Sequence, residues 1–226
     1  MFKIFTTVLC FCFFCFSSFI IAQTTNKGYP TSWLIKQQLR AAEYHKMPAF
    51  DLAKQQKIDA INDASGQHPW QFGYEHQVQL NLSNSGTWNT LPNGDRIWQI
   101  EFESENALSL NLLFDDFYMP VGASMYIFNP QSKEIRGAYT AANNNADRML
   151  GTTLLQGQNM ILEYYEPYAQ KGQGQLSVSM VVHGYRNLGS YDYVKAIKGL
   201  NDAGDCNHDV LCPLGIGWEN QINSVA

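Results

Sequence analysis

The chain has 226 residues, with 15 basic and 20 acidic side chains, a formal charge of −5 and an aromatic content of 13%. Sparse charge and plentiful aromatics exclude a disordered chain and leave room for one sizeable core, or one core plus an arm. No basic run or stripe is present, which excludes nucleic acid as a partner.

Residues 1–22, MFKIFTTVLCFCFFCFSSFIIA, have the layout of a secretory signal peptide. Lys3 is a short basic n-region, the apolar run extends from Ile4 to Ile21, and Ala22, with Ile20 two residues before it, is the expected cleavage residue. Ser17 and Ser18 interrupt the run and no charged stop-transfer group follows, which weighs against a membrane anchor. Bulky residues before Cys10, Cys12 and Cys15 weigh against lipidation. The expected location is therefore secreted, extracellular or periplasmic, where disulfides form.

Residues 23–65 read as an N-terminal arm that is partly helical. SWLIKQQLRAAEY carries a poor helical stripe, Met47-Pro48 breaks the chain, and FDLAKQQKIDAIN offers Leu52, Ala53, Gln56, Ile58 and Ile61 behind Asp51 as N-cap. From SGQHPWQFGYE onward the period changes to two. Trp98, Ile100 and Phe102 fall on one face of RIWQIEFES; Leu108, Leu110, Leu112 and Phe114 on one face of ALSLNLLFDDF; Leu176, Val178, Met180 and Val182 on one face of QLSVSMVVHGYR. ASMYIFN and MILEYYEP add aromatic-rich runs. LPNGD, MPVGA, NPQSK, AANNNAD, LQGQN and QKGQGQ punctuate them as turns. Seven or eight strands at this spacing, with no room for crossover helices, predict an all-β, antiparallel β-sandwich of jelly-roll kind over 66–187. Residues 188–198 read as a connector, and the C-terminal tail as irregular.

The tail holds GDCNHDVLCP. Cys206, His208 and Cys212, with Asp209 beside them, supply three potential zinc ligands, one short of a structural site and without paired spacing, so no metal is expected. A Cys206–Cys212 bond would close a very small loop worth about 2 kcal/mol on the chain-entropy model. The alternative is that each pairs with a cysteine beyond Ala226. His45, His68, His76 and His183 form no ligand pair; His183 reads as a hydrogen-bonded residue at a strand end. No nucleophile elbow, Gly-Asp-Ser-Gly or phosphate loop is present, so no catalytic residue and no cofactor is expected. Asp115-Asp116 reads as a solvated doublet at a strand end. Trp70, Trp88, Trp98, Tyr118, Tyr164 and Tyr165 would suit sugar stacking if exposed; Trp98 reads as core and Trp88 as the exposed candidate.

Taken in order, PWQFG, NSGTWNTLPNGDRIWQIEFESENALSLNLLFDDFYMPVGASMYIFN, GAYTAANNN, ILEYYEP, VVHGYR and CNHDVLCPLG resemble the precursor of a secreted bacterial lysyl endopeptidase-like, trypsin-type serine protease. The resemblance covers most of residues 65–217. It implies a β-rich pro-region, followed from residue 199 by the start of a chymotrypsin-like domain that the sequence leaves unfinished. It implies that Cys206 and Cys212 each join a separate cysteine of that domain. It implies maturation by cleavage after a lysine, at Lys198-Gly199 or, second, after Lys195. The family's Thr-Ala-x-His-Cys-like and Gly-Asp-Ser-Gly-like motifs do not occur here, so no triad residue carries over. The expected partner is the chain's own protease domain, which docks on the sandwich 66–187 as it folds and is held inactive by the sandwich or by the arm 23–65 laid over its cleft. The rival expectation is a stand-alone secreted binding module for carbohydrate or a cell surface.

Overall fold

A computed structural model describes residues 28–187. It is an all-β sandwich of two sheets. The first sheet holds β1 (Glu43–Lys46), β3 (Thr87–Thr90), β4 (Arg96–Glu103), β6 (Ser124–Phe128), β7 (Ile135–Tyr139) and β10 (Asn159–Glu166). Their spatial order is β1-β4-β10-β6-β7, with β3 on the same edge of β4 as β1. The second holds β2 (Gly73–Asn81), β5 (Ser109–Tyr118), β8 (Leu150–Gly151), β9 (Leu155–Gln156) and β11 (Gln175–Gly184), in the order β2-β11-β5-β8, with β9 also on β5. All pairs are antiparallel except β1–β4, which is parallel.

The core lies between the sheets. Trp98, Ile100 and Phe102 project into it from β4, as the alternation in RIWQIEFES requires, and meet Leu110, Leu112 and Phe114 from β5. The predicted turn stretches connect the strands: LPNGD joins β3 to β4, MPVGA joins β5 to β6, and NPQSK joins β6 to β7. In the last of these, Asn129 Oδ1 accepts from the backbone of Gln131 and Ser132, an Asx turn that fixes the reversal.

Two β-bulges correct the strict alternation expected from sequence. Asp115 is an extra residue on β5 and Ser179 an extra residue on β11, where the two strands pair. Each resets the parity of its strand. Phe114 and Phe117, three apart, therefore both enter the core, and so do Val178 and Val181. Beyond Ser179 it is Val181 and His183, not Met180 and Val182, that share the inward face. Leu108 precedes β5 and is exposed. The aspartate doublet accordingly sits within a strand, not at its end, and Asp116 pairs with Arg148 at 2.6 Å.

Residues 28–65 are bound to the sandwich along their length. A short helix, α1 (Thr31–Leu34), lies on the outer face of the first sheet, where Trp33 meets Phe128 edge-on at 5.1 Å. Glu163 of β10 is buried and accepts from Ser32 N at 3.1 Å and from Gln99 Nε2 at 2.8 Å. Burial pushes its carboxyl above the usual range. Arg40 N bonds to Asn89 Oδ1 at 2.9 Å, β1 extends the sheet, and Met47 enters the core.

A second helix, α2 (Leu52–Ser65), begins at the predicted cap: Asp51 Oδ1 accepts from Lys54 N at 2.9 Å. It ends at Gly66, whose φ of 63° is the left-handed conformation that closes many helices. Its orientation inverts the apolar stripe expected from sequence. Asp59 is buried, taking hydrogen bonds from Tyr185 Oη at 2.8 Å and Gln55 Nε2 at 3.1 Å, while Ile61 is 70% exposed. Polar partners, not apolar area, hold this helix. Asp51→Ala should therefore cost about 1 kcal/mol of stability, read from the denaturant midpoint, by stripping the cap from a helix with few apolar contacts.

Candidate functional site

The processing and cysteine residues expected from sequence, Ala22, Lys198, Gly199, Cys206 and Cys212, lie outside the described residues, as do Lys195, His208 and Asp209. Among the described residues no group of three or more His, Cys, Asp or Glu side chains is placed to hold a metal ion.

The aromatic side chains weighed as sugar platforms are mostly used internally. Trp98 is 0% exposed, its Nε1 donating to Ser85 O at 2.7 Å. Trp88, expected to be exposed, is half-buried: its Nε1 donates to Leu82 O at 3.0 Å, its ring meets Tyr164 edge-on at 6.1 Å, and the Arg96 guanidinium lies 4.1 Å from its centroid. β3 pairs directly with β4, with Trp88 opposite Trp98, and this register draws Trp88 against the protein. Tyr164 is buried, and loss of solvation raises its phenol well above the usual range. Tyr165 donates to Asp95 Oδ2 at 2.6 Å; burial and that bond push it up to about 12, while the same bond holds Asp95 below its ordinary value.

A polar cluster that no sequence motif announces sits where the arm enters the sandwich. Ser104 follows β4, His76 lies on β2 and His183 near the end of β11. Ser104 Oγ and His183 Nδ1 are 2.7 Å apart, and the rings of His76 and His183 are 6.4 Å apart. Phe50, from the loop between β1 and α2, wedges among them: it stacks on Tyr74 at 4.2 Å and meets His183 and His76 edge-on at 4.9 and 5.8 Å. The alternation on β2 directs Tyr74 and His76 to the same side as His183, and the bulge at Ser179 turns His183 inward. His76 Nε2 is buried without a hydrogen-bond partner among the described residues. Desolvation lowers the pKa of His76, and desolvation followed by the neighbouring His76 lowers that of His183.

The Ser104–His183 pair has the separation of a nucleophile and its base, and both residues line a cavity of about 290 Å³ beside Phe50. Two features oppose catalysis. Ser104 is only 2% exposed. Among the described residues, no carboxylate hydrogen-bonds His183 to orient it or to stabilise an imidazolium, the third element of the triad logic. The cluster is suited instead to holding two neutral imidazoles under an aromatic wedge. The expectation that His183 is a hydrogen-bonded strand-end residue holds; the assembly around it comes from four distant parts of the chain.

No family model matches this chain. A periplasmic lysozyme inhibitor of g-type lysozyme, PliG from Aeromonas hydrophila, matches with a TM-score of 0.24 and 11% identity, over 62% of this chain and 96% of that one. At that level the likeness carries no argument about activity. No helix of the described residues is long and apolar enough to cross a membrane.

Proposed function

We propose that the sandwich is the pro-region of a secreted, lysine-specific, trypsin-like serine endopeptidase, assisting the folding of that protease and inhibiting it until cleavage near Lys198-Gly199. The single observation that supports it over a carbohydrate-binding module is the use of the aromatic side chains. Trp98 and Tyr164 are core, Trp88 is stacked and hydrogen-bonded internally, and the exposed Tyr29, Tyr44, Tyr118 and Tyr168 lie on separate elements: before α1, on β1, at the end of β5 and in the turn after β10. A sugar platform needs coplanar exposed rings on one face. The resemblance in residue order supplies the protease.

In this reading the pro-region acts by mass action. A surface that binds the native protease and not its unfolded chain stabilises the native state by RT ln(1 + [L]/Kd). A double β-barrel, rich in nonlocal contacts, folds slowly and gains most from such a template. The main chain from Ser32 to Met47 is committed to its own sheet, through the Glu163 and Asn89 contacts and β1. In this reading the arm, fixed to the first sheet, covers the protease cleft as part of the sandwich surface.

Added separately, residues 23–198 should slow hydrolysis of a lysyl substrate by a matching lysyl endopeptidase and raise its yield on refolding. No effect on either activity or yield, from a preparation shown to be folded, overturns the proposal.

A further inference from the structure

We propose that the outer face of the second sheet carries a binding site for an extended peptide bearing a basic side chain. The site is a cavity of about 550 Å³, open to solvent, between that sheet and the segment that leads from α2 into β2. Its floor is a row of three residues in register across three strands: Glu75 on β2, Val182 on β11 and Asn111 on β5. Leu113 extends the floor, and Trp70 and Phe72 form the wall.

Three features select the ligand. Asn111 is only 8% exposed and its Oδ1 is buried with no hydrogen-bond partner among the described residues. An orphaned amide oxygen of this kind costs about 1–3 kcal/mol, and rotation about χ2 of Asn111, a soft torsion, turns that oxygen toward the cavity, where a ligand N–H pairs with it. A carboxamide carries both donor and acceptor, matching the N–H and C=O of one peptide unit. At the other end of the row, the exposed Glu75 carboxylate has no ion-pair partner among the described residues, and neither Lys nor Arg lines the cavity. That end accepts a cation.

Between the two lies the apolar surface of Val182, Leu113 and the indole of Trp70, suited to the methylene stem of a lysine, which packs on apolar surface while its ammonium stays at a wet, charged rim. Two strand spacings, about 10 Å, separate Asn111 from Glu75. That is the span of one peptide unit plus an extended lysine side chain. A neutral sugar would satisfy Asn111 and leave the carboxylate unused. The site does not depend on the pro-region reading, because every group in it belongs to the sandwich.

The test is a titration of the folded, exported chain with acetyl-Gly-Lys-Gly-amide, followed by amide chemical shifts. Saturable shifts confined to β2, the 68–72 segment and the middle of β5 are expected. The same peptide with norleucine in place of lysine should bind at least tenfold more weakly. Glu75→Gln, a surface change that should leave the unfolding midpoint untouched, should erase the difference between the two peptides. Asn111→Leu should weaken both peptides equally. The proposal is overturned if the lysine peptide gives no saturable shifts, if lysine and norleucine peptides bind alike, or if a cello-oligosaccharide binds at this face and the lysine peptide does not.

Discussion

Acidification from pH 7.5 to 5.5 should lower the stability of this protein steeply, and His76→Phe should remove much of that dependence. The sign follows from the direction of the shifts. His76 and His183 are held neutral in the folded state, with pKa values below the ordinary 6.5, by burial and, for His183, by its neighbour. The unfolded chain therefore binds more protons once the pH drops below about 6.5. The stability held in the two neutral rings is complete above that value and is lost as the pH falls toward their folded pKa values. Each ring contributes a slope of up to about 1.4 kcal/mol per pH unit inside that window.

The groups packed around the pair offer little compensation for a proton. Phe50, Tyr74 and Tyr185 present aromatic surface, Ser104 a hydroxyl, and at the rim of the neighbouring cavity Lys46 is paired with Glu105 at 2.9 Å. Glu163 titrates with the opposite sign. Its carboxyl pKa is raised by burial, so its stabilising effect is present below 4.5 and lost as the pH rises through its folded value. Glu163→Gln should leave the fall just below pH 6.5 in place, whereas His76→Phe should flatten it. Urea midpoints measured at half-unit steps separate the two. A wild-type profile that is level between pH 7 and 5.5 would count against the whole account of the histidine pair. The first local sign should be loosening of Phe50 from Tyr74, seen as cleavage of the loop after Met47.

The largest loss of stability should come from Trp98→Ala, at about 3–5 kcal/mol. The indole is fully buried at the centre of the core and its Nε1 satisfies the Ser85 carbonyl. Truncation would open a large cavity and leave that carbonyl without its donor. The fit is tight from the other side too. Gly86 has a φ of +73°, and a Cβ there would stand 2.3 Å from Trp98 Cε2. Gly86→Ala should accordingly cost about 2 kcal/mol or more, from overpacking and left-handed backbone together. Because the two residues touch, the double variant Gly86→Ala/Trp98→Ala should cost less than the sum of the singles. Chemical denaturation of the four proteins completes the cycle; strict additivity would mean that the indole and Gly86 do not press on each other.

The strands were legible because most of them alternate cleanly. RIWQIEFES assigns the inward face of β4 correctly, and LPNGD, MPVGA and NPQSK fall between strands, whereas LQGQN contains the short strand β9. What sequence obscured has identifiable causes. EYHK has no apolar alternation, since β1 joins an edge and its residues face outward or half outward, so a strand was not visible there. The bulges at Asp115 and Ser179 shift parity by one, and a period-two reading carries the error to the end of each strand. On α2 the apolar residues were seen, but the helix is held through Asp59 and Gln55, a hydrogen-bond choice that no hydrophobic pattern encodes. The histidine cluster gathers residues 50, 74, 76, 104 and 183, and only the assembled topology brings them together. One signal was available: histidines in otherwise apolar or aromatic strand contexts, at His76 and His183, hint at buried rings.

The strand order of the second sheet sets a timetable for a chain that emerges from the ribosome N-terminus first. β11, the last strand, lies between β2 and β5. Until residues 175–184 emerge, those two strands have no shared neighbour, and β2 must wait through roughly the whole sandwich with both edges open. Completion thus waits for β11, and the chain beyond Tyr185 emerges just as the sandwich closes.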